Sequence, residues 1–429
     1  MQAMLKSGLS VKRWPGRSTT CRNALQWKLP STRYRSSFSS IAPSIETSIE
    51  EETLPYYKPD DYHPVRIGDV YNARYQIAGK LGYGAYSISW LCRDLQDSKY
   101  KVLKVSTALP EHPTATDREL KIYERLAQHL GQTDSMHPGQ ALIRELYDTF
   151  HIDGVVGKHS CLVLQPMHMT LLEMMGLNSR PFNLEILKMT MSLLLTVLDF
   201  LHTEVGIVHT DLKTDNIMLS IGDDTMLADF AKAEAEIPSP QKTINPSRTI
   251  YKSRKFRRPT ASKYGLLVLC DFGEARIGKI QESGPFVQPH IYRAPEVIFE
   301  MPWGGAVDIW NLAGLMWDLF EGEHLFGDIF DSKGGHDPFK HLALMVALIG
   351  PPPGEFVRRS ETAQQCFDSS GNWIAHEEAV VPAVSLDSLE KRLSGTEKEA
   401  FIRFISSMLR WLPDERKTAK QLLEDPWLL

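Results

Sequence analysis

The 429-residue sequence predicts an α+β fold of two lobes, a small β-rich lobe over residues 56–167 and a larger α-helical lobe over residues 168–429. Three observations predict it. Short β-patterned runs separated by Gly-rich or charged turns fill the region after Tyr56. Long apolar-periodic stretches dominate after residue 180. The composition, 42% hydrophobic and 24% charged, belongs to a globular chain able to bury a sizeable core.

The elements follow in order. Residues 1–45 carry eight basic side chains and no acidic one, and they are rich in serine. This is the composition of a mitochondrial transit peptide and equally of a disordered basic tail, so residues 1–55 are read as tail or targeting segment outside the fold. Residues 75–77, 87–92 and 101–105 read as strands. Residues 116–130 place Leu120, Tyr123, Leu126 and Leu130 on one helix face. A strand at 161–164 runs into Gln165-Pro166-Met167, where proline ends regular structure and a hinge is expected. Helices are expected at 183–204, 306–321, 340–349 and 397–410. A segment at about 220–265 differs, with Pro238, Pro240, Pro246, Pro259 and the basic run from Lys252 to Arg258. It reads as an insertion carrying little core, and the basic run as a solvated loop, an import signal or a docking patch. Apolar runs such as 342–349 are too short to span a bilayer, which takes about 18 residues or more. Five cysteines are scattered without a C-x-x-C pair, which argues against a disulfide framework or zinc site and fits a reducing compartment.

The chemistry begins at Leu81-Gly82-Tyr83-Gly84-Ala85-Tyr86-Ser87. Glycines between strands let backbone N–H groups approach phosphate oxygens, although a plain hairpin turn would use the same residues. Lys104 follows among apolar strand residues, where a cation is costly to bury unless an anion neutralises it. Glu119 on the next helix is the expected partner, the alternative being a capping box with Thr116. The most specific motif is His209-Thr210-Asp211-Leu212-Lys213-Thr214-Asp215-Asn216. Phosphoryl transfer needs a group to take the proton of the attacking hydroxyl, a cation for the developing charge and a metal ligand. Asp211, Lys213 and Asn216 supply these in that order. A second metal ligand is expected at Asp271, delivered by an apolar strand into Asp271-Phe272-Gly273. Asp229-Phe230-Ala231 is a competing match and is set aside, since it lacks the glycine and a strong preceding strand. Downstream, Glu296 in Ala294-Pro295-Glu296 is expected to pair with Arg416, and Asp308 to accept hydrogen bonds from the backbone around Asp211. The order of these motifs, more than any one of them, predicts transfer of phosphate from ATP with Mg2+.

Over residues 65–429 the chain resembles the eukaryotic protein kinases, and Lys213 places the resemblance on their Ser/Thr branch. More narrowly it resembles the SR-protein kinases and their fungal relatives. Tyr62-His63-Pro64-Val65-Arg66-Ile67-Gly68-Asp69, Asn72-Ala73-Arg74-Tyr75 and the His-Thr-Asp of residues 209–211 carry that likeness. The resemblance implies the bilobal protein kinase fold, with ATP and Mg2+ in its cleft and Ser in basic, Arg/Ser-rich proteins as the target. It further implies a monomer without direct nucleic-acid or membrane contacts, and a cytoplasmic or nuclear location against the mitochondrial reading of the N-terminus. ATP binding would fall to Leu81, Gly82, Gly84, Ser89, Val102, Lys104, Glu119, Leu164 and Met167, with Leu164 as gatekeeper. Asp318, Glu321, Glu323, Asp328, Asp331 and Asp337 would line an acidic docking groove or a solvated face.

The sequence departs from the family pattern at four places. Ser89 stands where a valine roofs the adenine, Val102 replaces a small alanine, and Pro289 replaces a threonine that orients the catalytic Asp. Thr210 replaces the arginine that reads a phosphorylated activation loop, which predicts activity independent of phosphorylation at Ser283. The rival reading is a pseudokinase scaffold that binds ATP or partners without transfer.

Overall fold

The first strands are β1 (Val70–Tyr71), β2 (Tyr75–Tyr83), β3 (Ser87–Asp94) and β4 (Tyr100–Ser106), the last two buried on both faces for much of their length. Helix α1 (Ala115–Gln132) follows, with Glu119, Ile122, Tyr123 and Leu126 on its buried face, and then β5 (Leu146–Asp153) and β6 (Lys158–Leu164). These strands form one antiparallel sheet in the order β1-β2-β3-β4-β6-β5. A computed structural model of the chain describes residues 47–108, 115–132, 137–177, 180–259, 264–282 and 287–429. Residues 1–46 and Ser283 lie outside the described residues, whereas residues 47–55, expected to lie outside the fold with the rest of the 1–55 segment, are described and hold a short helical turn at Glu50–Thr53 with Glu51 buried.

The chain continues through β7 (Met167–Thr170), α2 (Leu171–Gly176), α3 (Leu184–Asp199), β8 (Ile207–Val208) and β9 (Ile217–Ser220). Next come α4 (Thr225–Glu236), β10 (Gln241–Asn245), β11 (Arg248–Tyr251) and β12 (Leu267–Leu269). The last elements labelled are β13 (Arg276–Ile277), β14 (Ile280–Gln281), α5 (Pro295–Ile298), β15 (Trp303–Gly304), α6 (Ala306–Glu321) and α7 (Pro338–Ile349). A further helix covers Gly395–Ser406. Among the described residues, no helix is long and apolar enough to cross a membrane.

The chain divides into two compact units. The first takes the chain up to Gly131, Arg144–Met169 and Leu219–Val268; the second takes Gln132–Ile143, Thr170–Met218 and Leu269–Leu429. In the first unit Tyr75, Ile77, Ile88, Trp90, Leu103, Val105, Cys161 and Val163 form the core on one sheet face, with Tyr62 and Val65 from ahead of β1. In the second, α6 is buried along its whole length from Val307 to Phe320. It ends at Gly322, whose φ of 81° gives the left-handed cap that a side chain would resist. Helix α3 stops at Asp199 and its last turn, Phe200–Val205, widens to a π-helix closed by Gly206 at φ 72°. Asp337 caps α7 with Pro338 at its first position, two residues ahead of the start expected from periodicity.

The insertion requires a correction. It was expected to carry little core, yet it holds a helix and a hairpin and belongs to the first unit rather than to the helical one. The prolines misled because they sit outside the elements: Pro238 and Pro240 separate α4 from β10, and Pro246 turns the hairpin. Met226, Leu227 and Phe230 make an apolar face on α4, and Leu227 and Phe230 pack against Leu91 of β3. Asp229 of the competing Asp-Phe-Ala match is on this helix, paired with Arg257 at 2.6 Å.

Candidate active site

In the first unit the site is set by strand register. Gly82 faces Ser89 across β2 and β3, Ser89 faces Lys104 across β3 and β4, and Lys104 faces Leu162 on β6. One row of the sheet thus joins the glycine-rich loop to the half-buried Lys104. Lys104 Nζ lies 2.6 Å from Glu119 Oε2, and the Glu119 side chain is almost wholly enclosed. The ion pair, not a capping box, is what Glu119 makes. Gly82 and Gly84 have no positive φ, and a Cβ at Gly82 would meet nothing within 4 Å. Neither glycine is demanded by the turn; what their absence of side chain provides is bare backbone with open space beside it. The next row places Leu91 opposite Val102 and Val102 opposite Leu164, all buried, with Met167 buried three residues on and Leu81 partly buried at the loop. The Gln165 carbonyl accepts from Arg144 Nε at 2.8 Å, which fixes the expected hinge at its start.

In the second unit the loop after β8 is organised by one carboxylate. Asp308, in the first turn of α6 and fully buried, accepts from His209 N and Thr210 N at 2.8 Å each, and its Oδ2 lies 2.9 Å from His202 Nε2. Thr210 is thereby held at φ 65°, a conformation costly for a β-branched residue and sustained only by such bonds. Its Oγ1 donates to the Glu274 carbonyl at 2.6 Å, so the loop is tied directly to the segment after Asp271. Asn311, one turn along α6 from Asp308, donates to the Leu212 carbonyl at 2.7 Å.

On this frame Asp211 Oδ2 receives Lys213 Nζ at 2.7 Å and Asn216 Nδ2 at 2.8 Å. Asn216 Nδ2 also donates to the Asp211 carbonyl. With Pro289 in place of the threonine, Lys213 and Asn216 are the side chains that hold the carboxylate. His209 Nδ1 accepts from Asp211 N and its Nε2 faces the Cys270 carbonyl at 3.3 Å, an arrangement that a single neutral tautomer satisfies. Cys270 N donates to the Asn216 carbonyl at 2.8 Å, which sets Asp271 beside Asn216. Asp271 is exposed, at φ 59°, with Oδ1 accepting from Gly273 N. The Asn216 amide oxygen and the Asp271 carboxylate are oxygen donors of the kind that suits Mg2+, which keeps most of its shell for water and phosphate.

The expected supports are present. Glu296 and Arg416 form a bidentate pair at 2.6 and 2.7 Å with both side chains buried. The acidic group requires a correction: Asp318 is buried, accepts from the Tyr292 hydroxyl and lies 2.5 Å from His324 Nδ1. Asp337 is the α7 cap. Glu323, Asp328 and Asp331 are exposed. Sequence reasoning missed His202, Asn311 and Tyr62, whose hydroxyl reaches the Gly84 and Ala85 carbonyls. Asn311 had a signal, its i, i+3 spacing from Asp308 on one helix face.

Comparison with known proteins fits this geometry. The family model described as protein kinase domain matches residues 75–261 and 260–428. A serine/threonine protein kinase of Aspergillus fumigatus is 39% identical over 402 residues, covering 93% of this chain and 95% of the relative. The serine/threonine-protein kinase SRPK of Physarum polycephalum is 28% identical over 88% of this chain and 91% of its own length. SRSF protein kinase 3 of Homo sapiens is 35% identical over 46% of this chain and 35% of its own. A crystal structure of a kinase domain superposes with TM-score 0.63 at 21% identity, over 86% of this chain and 99% of that one, a likeness of fold.

Proposed function

This chain belongs to the protein kinase family and is a protein serine/threonine kinase, and on that premise we propose that it phosphorylates serines in basic, Arg/Ser-rich protein segments. The observation that supports transfer most is the Asp211 carboxylate, held between Lys213 and Asn216 on a loop anchored by buried Asp308. Asp211 takes the proton of the attacking hydroxyl. Lys213, 2.7 Å from it, balances charge as the proton arrives and as charge builds on the transferred group. Asn216 and Asp271 would hold Mg2+, and the ion when bound neutralises phosphate charge. Lys104, kept in place by Glu119, orients phosphates, and the bare backbone of the Gly82–Gly84 loop lets them approach closely. Leu81, Ser89, Val102, Leu164 and Met167 are the adenine contacts in this reading.

The substrate class is supported by the likeness to kinases named SRPK and SRSF protein kinase 3 and by exposed Glu323, Asp328 and Asp331. Such substrates favour a cytoplasmic and nuclear location over a mitochondrial one, and imaging a C-terminal tag with and without residues 1–45 separates the two. The test of substrate is initial-rate phosphorylation of an Arg/Ser-repeat peptide, a Lys/Ser-repeat peptide of equal charge and a general basic protein, followed by phospho-amino-acid analysis. A kcat/KM at least tenfold higher for the Arg/Ser peptide, with label on serine, is expected. Equal rates would discard the Arg/Ser preference and leave a general basic-directed kinase.

A further inference from the structure

Strand β2 carries the glycine-rich loop, and its pairing in the sheet is irregular. Its pairing with β3 shifts register twice, between Ile77 and Gly79 and between Lys80 and Gly82. On its other side β1 pairs with Tyr75 and Gln76, and Gly68 and Asp69 just ahead of it bond the Ile77 backbone at 2.9 Å each. Beyond that, part of the open edge is taken by the insertion. Arg254 N donates to the Lys80 carbonyl at 2.9 Å, and Phe230 lies so close over Gly79 that a Cβ there would meet its ring at 2.8 Å.

The remaining support comes from residues 47–62, ahead of the first strand. Lys80 is fully buried, which is tolerable only for a paired cation. Its partners are Glu51, in direct contact, and Glu50 at 3.5 Å. Glu50 also accepts from Ser253 Oγ at 2.6 Å, and Glu52 pairs with Lys242 at 2.9 Å, whose Nζ donates to the Thr47 carbonyl as well. Three consecutive glutamates are thus fastened to Lys80, Ser253 and Lys242, with Lys80 shared by Glu50 and Glu51. At the far end of the same segment the Tyr62 hydroxyl donates to the Ala85 carbonyl at 3.0 Å, shared with that of Gly84 at 3.3 Å, inside the loop itself. Arg248 of β11 holds the Tyr62 carbonyl at 2.8 Å. Burial pushes the Tyr62 phenol up to about 12, so it keeps its proton and stays a donor through the physiological range.

We propose that residues 47–62 are a strap that sets the position of the glycine-rich loop, with Lys80 and Tyr62 as positioning residues and residues 242–254 as its fastening. The strap acts on nucleotide binding and not on the proton-transfer group. The inference rests on reading Gly82 and Gly84 as the phosphate cradle. A hydroxyl that fixes two loop carbonyls restricts where the loop N–H groups can point, and loss of that restriction lowers affinity for the phosphates they meet.

The test uses the full chain with Tyr62→Phe, Glu51→Gln and Lys80→Arg, measuring KM for MgATP, KM for an Arg/Ser peptide, kcat and thermal unfolding. Tyr62→Phe removes one oxygen and is expected to raise KM for MgATP about fivefold, the scale of one hydrogen bond, with kcat and peptide KM within about twofold. Glu51→Gln is expected to raise it further and to lower the unfolding temperature, while Lys80→Arg retains the charge and most of the affinity. An MgATP KM in Tyr62→Phe within twofold of the parent overturns the proposal, even if Glu51→Gln is destabilised or fails to fold. If the parent itself shows no saturable MgATP dependence, the cradle reading falls and takes the strap with it. Saturable dependence unchanged by Tyr62→Phe removes the strap alone.

Discussion

The two sets of candidate residues, one in each unit, are held in different ways. Asp211, Lys213 and Asn216 lie within one eight-residue motif, and their support is concentrated in Asp308 and Asn311, a single turn of α6. The glycine-rich loop and its strand are instead fastened by many distant residues: Lys242 to Glu52, Ser253 to Glu50, Arg254 to Lys80 and Tyr62 to Ala85. A concentrated support fails all at once, whereas a distributed one loosens by degrees. Damage to the first should be read in kcat or global stability, and damage to the second in nucleotide affinity.

The comparison breaks most sharply at Asp211. Replacement by Asn keeps the shape but removes the proposed base, and kcat should fall about a thousandfold with unchanged unfolding temperature and MgATP affinity. A comparable rise in KM for MgATP would show that the two parts are not separable. Glu296→Gln should leave buried Arg416 unpaired and cost about 3–5 kcal/mol in denaturant unfolding. Replacing both partners by apolar residues, Glu296→Leu with Arg416→Met, should recover most of that. Thr210→Val removes the Oγ1 bond to Glu274, worth about 1 kcal/mol, and should lower stability by that amount with little change in MgATP affinity.

A smaller effect is expected from pH. His336 stacks on His290 and contacts His341 in the second unit. Burial first, then the neighbouring His290 and Arg293, push His336 down to about 4 against an ordinary 6.5. Below the unfolded value the unfolded chain binds the proton and the folded chain does not, so stability is complete above about 6.5 and falls with pH between about 6.5 and 4. His336→Gln should flatten that slope in unfolding curves taken across the window. The smallest effect is expected at Ser283: with Thr210 tied to Glu274 and no arginine to read a phosphate, Ser283→Ala should leave turnover nearly unchanged.

The same contrast explains what the sequence disclosed. That Asp211, Lys213 and Asn216 come together was legible because a carboxylate, a cation and an amide at fixed offsets in one loop form a pattern that survives without knowledge of the fold. Lys104 with Glu119 was legible because a lysine among strand apolars requires an anion nearby. The strap was not, since Glu50-Glu51-Glu52 looks like a solvated acidic run until Lys80 and Lys242 are seen to be buried beside it. The insertion was misjudged because prolines were taken as marks of a coreless loop, whereas the apolar face Met226, Leu227 and Phe230 lies between them and the preceding strand. Asp318 was taken for surface charge because nothing local shows that Tyr292 and His324 enclose it.

The central claim, that Asp211 on its anchored loop performs the transfer, is tested most directly by radiolabelled phosphate transfer from MgATP to an Arg/Ser-repeat peptide. The full chain and Asp211→Asn are compared with MgATP binding measured for both. The account predicts serine-linked label from the parent, loss of about three orders of magnitude in the variant, and equal MgATP affinity in the two. MgATP binding without transfer by the parent, or equal transfer by the variant, would contradict it.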